Sequence, residues 1–497
     1  MPCFHFIFIK STQINANEFN YQLHLHSHVT TLLPNTISYH YHLGLFMNIS
    51  NILVMFLVST AALADEQQSI TPAAEDLLAQ QQKIADIELQ LKALKSQSDA
   101  MLTMNTADQT LSVDKNWQIK SYGSVRYKNE EIFRNTQDLD PSRRASTDLE
   151  RVVLELVYDF TPKWQVELEL EYEHGGTGVT LEYDGFEEFG EFENEIEAGG
   201  EVVVEKLQVR YQANQYLAVK MGRIFVPVGL GTDLHQPHQY MTAERHWSEA
   251  TMIPQTWNET GVNVITHWKG FTAQALLTTG LNSEYFRTYQ WAATGHQKRF
   301  EQVNSDDLAL TFRLDYGDVK KDKAIGLSYY TGNTTDNRNN QNNIAGDGNL
   351  QIFGVHGAWI AGNWLARGQY LFGQLEDSEA ITLANKTTPG LKPGNFSQVG
   401  SEAESAFVEL GYNAQVLLDL SSPLQIFAAF DYANPIKKVA NGIATPRFDK
   451  QELSIGINYY PIPELVFKVQ ISEQQYAQEN LDNTHSVELS LGYFFTI

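Results

Sequence analysis

The chain has 497 residues, 42% of them hydrophobic and 11% aromatic, and a formal net charge of −25. Such an acidic surface is a poor match for nucleic acid, whose phosphates call for basic groups. Beyond Ala64 no run approaches the ~18 apolar residues of a transmembrane helix. Composition by itself leaves a soluble acidic enzyme open.

Residues 1–46 carry 6 of the 14 histidines (His5, His24, His26, His28, His40 and His42) and show neither an apolar period nor helix caps. From Met47 the character changes, and MNISN, ILVMFLV and STAALA lead to Asp65. An apolar stretch ending in Ala62-Leu63-Ala64 reads as a signal peptide over 47–64, cleaved after Ala64. Its n-region lacks Lys and Arg, a departure from the usual pattern. We take Met47 as the start and 1–46 as upstream sequence, with a genuine extension as the alternative. Processing removes Lys10 and Glu18, which leaves the net charge unchanged, and also Cys3, the only cysteine. The exported chain is thus expected to hold together without disulfides.

The next segment, 65–105, is read as a periplasmic coiled-coil helix. Leu77, Ile84, Leu91 and Ser98 share one heptad position, and Gln80, Ile87, Leu94 and Met101 share the next seam position. Isoleucine at both seam positions of the middle heptad leans towards three-stranded association. So short a coil is marginal alone and needs chains already held together. A single packed amphipathic helix is the alternative.

After Asn116 the hydrophobic period becomes two, and a barrel is expected over 110–497. In KWQVELELEYE, Trp164, Val166, Leu168, Leu170 and Tyr172 face one side and five polar residues the other. Sixteen candidate strands lie at 117–127, 150–160, 164–174, 202–212, 216–226, 260–268, 271–280, 307–316, 324–332, 350–360, 364–373, 404–413, 423–432, 451–460, 464–473 and 485–497. Their joins alternate between short turns, such as Lys269-Gly270 and Ala361-Gly362-Asn363, and long connections, such as 128–149, 175–201 and 227–259. An even strand number with that rhythm is the signature of an all-β, antiparallel transmembrane barrel in the outer membrane, surrounded by lipid. The last strand ends the chain as VELSLGYFFTI, alternating and aromatic. The least regular stretch is Ala414–Pro423, where Val416, Leu417 and Leu418 fall in an expected turn.

Sixteen strands leave room for an aqueous channel, whereas eight fill their own interior. The strand phase turns Lys120, Arg126, Arg151, Lys206, Arg210, Lys220, Arg313, Arg367 and Lys468 inward. It also turns Glu155, Asp159, Glu167, Glu169, Glu171, Glu173, Asp315, Glu409 and Glu488 inward, so the wall is near balance. Wall arginines either line an anion path or pair with neighbouring carboxylates. Loop 175–201 carries nine carboxylates, open to a cation or subunit contact or simply solvated. Loop 227–259, with Trp247, Trp257, Tyr240, Met241 and Met252, is too apolar to hang in water. Folded into the barrel, it would place Glu244, Arg245, His246 and Glu249 at a constriction. Arg245, its one Arg or Lys, is expected to outweigh a solvated wall charge such as Lys468.

The segment Lys220-Met221-Gly222-Arg223…Val226-Pro227-Val228-Gly229 resembles a strand end of the phosphate-selective porins O and P. The resemblance extends loosely over the mature chain, through helix, strand number and long third outer loop. It implies a homotrimeric, passive pore favouring anions such as phosphate. That family's basic ladders are matched in type by Lys120, Arg126, Arg210, Lys220, Arg313 and Arg367, while the strip from Glu167 to Glu173 opposes the match.

An enzymatic reading finds little footing. His246 and Ser248 lie close in sequence, but no third residue is evident to orient them. His235 and His238 form an HxxH without the glutamate of a zinc protease. No catalytic residue, metal site or cofactor is expected. Two other classes stay open: a structural or adhesive barrel, and a sugar-preferring channel lined by Tyr330, Phe427 and Phe494.

Overall fold

A computed structural model describes residues 116–135, 138–183, 194–297, 302–339, 344–387 and 398–497. The expected signal peptide and coiled-coil helix lie outside these residues. The rest is a closed, antiparallel, sixteen-stranded barrel in which each strand pairs with its sequence neighbours. The strands are β1 Trp117–Ile132, β2 Ser142–Thr161, β3 Trp164–Tyr183, β4 Asn194–Gln212, β5 Leu217–Phe225, β6 Asn258–Trp268, β7 Phe271–Thr279 and β8 Leu308–Tyr316. The second half comprises β9 Ala324–Gly332, β10 Leu350–Ala361, β11 Trp364–Leu375, β12 Glu402–Asn413, β13 Leu424–Lys438, β14 Lys450–Ile462, β15 Leu465–Tyr476 and β16 Thr484–Thr496. β1 closes on β16 from Lys120↔Thr496 to Glu130↔Ser486, so neither strand leaves an edge.

Alternation explains the wall. Outward positions such as Val125, Phe312, Leu327, Val408, Ile455 and Phe467 are exposed and apolar. Inward positions such as Arg151, Glu169, Thr311, Glu409 and Lys468 are buried within the barrel. A closed ladder with an apolar outer face satisfies every backbone group internally, which is what a bilayer demands of a spanning sheet. The short turns obey local chemistry. Trp268 pairs with Phe271 across a two-residue turn. Lys269 and Gly270 there take φ of 48° and 85°, the double positive φ that a tight hairpin needs.

Two expectations are revised. The segment 175–201 is not wholly loop: β3 and β4 stay paired from Gly178↔Gly199 to Tyr183↔Asn194, a ribbon continuing the hairpin. β1 and β2 likewise run past 127 and begin before 150, because their pairing extends to Ile132↔Ser142. The irregular stretch 414–423 is a turn as expected. Its Val416 and Leu417 are 79% and 71% exposed, so these two side chains stand clear of the other described residues.

Candidate functional site in the barrel lumen

The connection between β5 and β6 turns into the lumen. Val226 N–H donates to Trp257 O at 2.8 Å, pinching the two ends of the loop together. What holds it inside is apolar surface: Val226, Val228, Leu230, Met252, Ile253 and Trp257 are all buried. All but Leu230, which packs with Leu234 and Phe407 in a second cluster, join inward residues Leu276, Ala309, Tyr330, Ile352 and Leu371, with Phe286, Trp291 and Ile381 from other long connections. Ile381 lies on the ten-residue helix α2, Ser378–Thr387, and a shorter helix α1, Trp247–Met252, lies in the loop itself. Full burial of a large apolar side chain contributes about 1.5–3 kcal/mol, so the six loop residues offset part of the entropy of ordering the loop and leave the rest to its other contacts.

Inward polar side chains then tie the loop down. Arg313 donates to Gly229 O at 3.0 Å and pairs with Asp233 at 2.6 Å and Asp315 at 2.8 Å. Gln369 accepts from Leu230 N–H at 2.7 Å and donates to Glu249 at 2.8 Å. Arg367 donates to Gln239 O and pairs with Glu409 at 3.2 Å, while Glu409 accepts from Met241 N–H at 2.9 Å. Lys468 Nζ donates to Tyr240 O and Thr242 O, both at 2.8 Å. Asn458 donates to Met241 O at 2.9 Å, and Ala243 N–H donates to Gln470 at 2.8 Å. The loop therefore reaches from β5 across to β8, β11, β12, β14 and β15.

The four residues expected at a constriction divide into two pairs. Glu244 is held by Arg126 and by Lys128 at 2.9 Å, and Arg245 donates to Gln255 at 3.0 Å. Both line an open cavity of about 460 Å³ at the long-loop end. His246 and Glu249 act instead as anchors. His246 stacks on Phe407 at 3.7 Å between ring centroids, and its Nδ1 lies 2.8 Å from Asp431. Burial alone would lower its pKa, but the Asp431 and Glu409 carboxylates carry it up to about 10. Burial raises the Glu249 carboxyl to about 7, against the Gly231 N–H and nearby His246.

Of the wall cations, Arg313 and Arg367 serve the loop rather than open water, the pairing alternative considered above. Lys468 is corrected outright: it is 1% exposed and clamped by two carbonyls, not a solvated wall charge. Lys120 pairs with Glu155 at 3.0 Å, Arg126 with Asp148 at 3.4 Å, and Arg210 donates to Gln212 at 2.6 Å beside Lys220 on β5. The glutamate strip of β3 is partly compensated by cations on the flanking strands. Lys206 sits 2.5 Å from Glu167 and 2.7 Å from Glu169, and Arg151 sits 3.3 Å from Glu171. A register shift in the β3–β4 ladder at Glu169/Leu170 accompanies two consecutive buried residues, Glu205 and Lys206. Strict alternation could not reveal it. The ammonium occupies the middle of the Glu155, Glu167 and Glu169 cluster, where a metal ion would otherwise be considered.

A third residue does stand beside His246 and Ser248. Asp431, on β13, accepts from Ser248 Oγ at 2.5 Å as well as lying against His246. This corrects the expectation that nothing orients the pair, but the wiring is not catalytic. The hydroxyl gives its hydrogen bond to the carboxylate rather than the imidazole, and Ser248 is fully buried. His235 packs edge-on to Tyr122 and bonds Thr232 O, while His238 stacks on Phe494, so the HxxH rings have separate partners. The inward aromatics of the sugar-track alternative are likewise engaged: Tyr330 by Trp257, Phe427 by Met241, and Phe494 by His238.

No family model matches the chain. A protein of Aquifex aeolicus described as uncharacterized is 25% identical over 388 residues, covering 76% of this chain and 80% of its own. Among solved structures, the outer membrane channel DcaP of Acinetobacter baumannii aligns with 13% identity, 77% of this chain, 98% of its own and a TM-score of 0.45. OprB of Pseudomonas putida aligns with 14% identity, 78% and 96% coverage and a TM-score of 0.46. An anion-selective porin from Comamonas acidovorans gives 10%, 76%, 100% and 0.43. These are likenesses of barrel architecture.

Proposed function

We propose that the chain is an outer-membrane porin that lets small hydrophilic solutes diffuse through the barrel, anions such as phosphate among them. The carrying observation is the combination of an apolar outer wall, a closed sixteen-stranded ladder and a long loop folded against a charged lumen. Glu244 and Arg245 mark the constriction in this reading, since both are charged groups of the loop that line the open cavity. Signal-peptide removal after Ala64, a periplasmic N-terminal helix and a homotrimer belong to the same proposal.

The test is single-channel recording of the refolded protein in a salt gradient. Arg245→Glu is expected to move the reversal potential towards cations by more than Lys120→Glu, whose wall lysine faces its own carboxylate. In a partly desolvated constriction one charge at ~4–6 Å acts on an ion with a few kcal/mol, whereas an exposed charge is screened within ~10 Å. Equal shifts would place the constriction elsewhere. One observation favours a second reading, a closed structural barrel: the loop bonds to strands on opposite sides of the lumen. A wild-type barrel that inserts and never conducts supports that reading instead.

A further inference from the structure

The cavity at the long-loop end holds an imbalance between donors and acceptors. Four carboxylates line it, and each already has donors. Glu131 accepts from Arg143 at 3.2 Å and from His485 N–H at 3.0 Å. Glu130 and Glu244 share Lys128, at 3.2 and 2.9 Å, and Glu452 accepts from Ser454 at 3.1 Å and Gln474 at 3.3 Å. Two cations on the same cavity have no carboxylate within 4.0 Å among the described residues: Arg245 and Lys450. Arg245 spends Nη1 and Nη2 on the neutral oxygens of Thr256 and Gln255, and its Nε is buried without an acceptor. Trp247 Nε1 is likewise buried without an acceptor, and Lys450 Nζ stands 5.4 Å over the Trp247 ring. Unused donors gathered at one cavity are costly unless an acceptor arrives. Trp247, Phe133, Phe448 and Tyr476 add aromatic surface to a lining that is otherwise mostly polar.

We propose that this cavity binds a small organic anion, a monocarboxylate attached to an aromatic or similarly flat apolar body. The carboxylate pairs with Arg245 and Lys450, and the ring lies against Trp247 and its aromatic neighbours. About 460 Å³ accommodates a single-ring acid. An inorganic oxyanion would satisfy the donors and leave the aromatic wall wet, so the ring distinguishes this site from a simple anion trap. The proposal gives the pore reading a substrate class and rests on that reading only for its physiological use.

Calorimetric titration of the refolded barrel tests it without any current being measured. The probes are benzoate, benzamide as the neutral isostere, and inorganic phosphate. Benzoate is expected to bind at least tenfold more tightly than either of the others. Arg245→Gln and Lys450→Gln are each expected to weaken benzoate roughly tenfold, and Trp247→Leu to weaken benzoate while leaving phosphate unchanged. Lys163→Gln, in an exposed short turn, should match wild type. Variants that fail to close are recognised by lost heat-modifiable mobility, and Trp247→Leu, which alters no charge, then carries the test. Benzamide or phosphate binding as tightly as benzoate, or benzoate binding untouched by Arg245→Gln and Lys450→Gln, overturns the proposal. A barrel that binds benzoate but never conducts keeps the site and sinks the pore. One that conducts without binding benzoate does the reverse.

Discussion

From β7 to β11 the inward face includes Leu276, Ala309, Tyr330, Ile352 and Leu371, all buried against the loop. From β15 round to β3 the corresponding positions include Lys468, Gln470, Glu488, Arg151, Glu155 and Glu169, also buried but wired through hydrogen bonds and ion pairs. Both sides are made of strands with the same outward apolar stripe. The difference teaches that a barrel's inner face is free to choose its chemistry because the bilayer constrains only the outer one. On the apolar side the loop is held by burial, which is forgiving of direction. On the polar side it is held by donors and acceptors, which fix its register.

The largest test of that contrast is Lys468→Glu. It places a carboxylate against Tyr240 O and Thr242 O, where a buried ammonium now stands. Leaving buried polar partners mismatched in this way costs about 3–5 kcal/mol. Urea unfolding should fall by that amount, and the loop should become open to protease. Unchanged stability and unchanged cleavage would mean the polar anchors are dispensable. Trp257→Ala probes the apolar side and is expected to cost about 3 kcal/mol through the cavity it leaves. Its loss should not disturb the Lys468 contacts, so the double variant should be additive within about 0.5 kcal/mol; a larger coupling would show that the two sides act as one.

A smaller effect separates the anchors by pH. The His246 imidazole is raised from its ordinary 6.5 to about 10 by Asp431 and Glu409, against burial. A group whose folded pKa is raised contributes all its stabilisation below the unfolded value and loses it as pH climbs through the folded one. Hydrogen exchange of the loop should therefore quicken between pH 6.5 and about 10, and His246→Gln should flatten the response. Exchange that slows over this range would reverse the assignment. The smallest expected change is Leu417→Ser in the exposed short turn, within about 0.5 kcal/mol by the same unfolding assay. A greater loss would reveal a contact made by that turn.

Strand phase was legible in the residues themselves, since a period of two over nine or more positions admits one inward face. The position of every strand core, the tight turn at Lys269-Gly270 and the inward course of a loop rich in Trp and Met all followed from local chemistry. Strand lengths above the barrel were not, because pairing between β3 and β4 continues for as long as two chains stay adjacent. Nor was the meeting of His246 and Ser248 with Asp431, some 183 residues further on. The consecutive burial of Glu205 and Lys206 depends on how β4 fits its partner, as does the partial compensation of the glutamate strip. Away from the register shifts, the sequence by itself determined which side chains enter the lumen. Only the closed barrel decided which of them meet, because ring closure brings together inward groups whose separation along the chain carries no local signal.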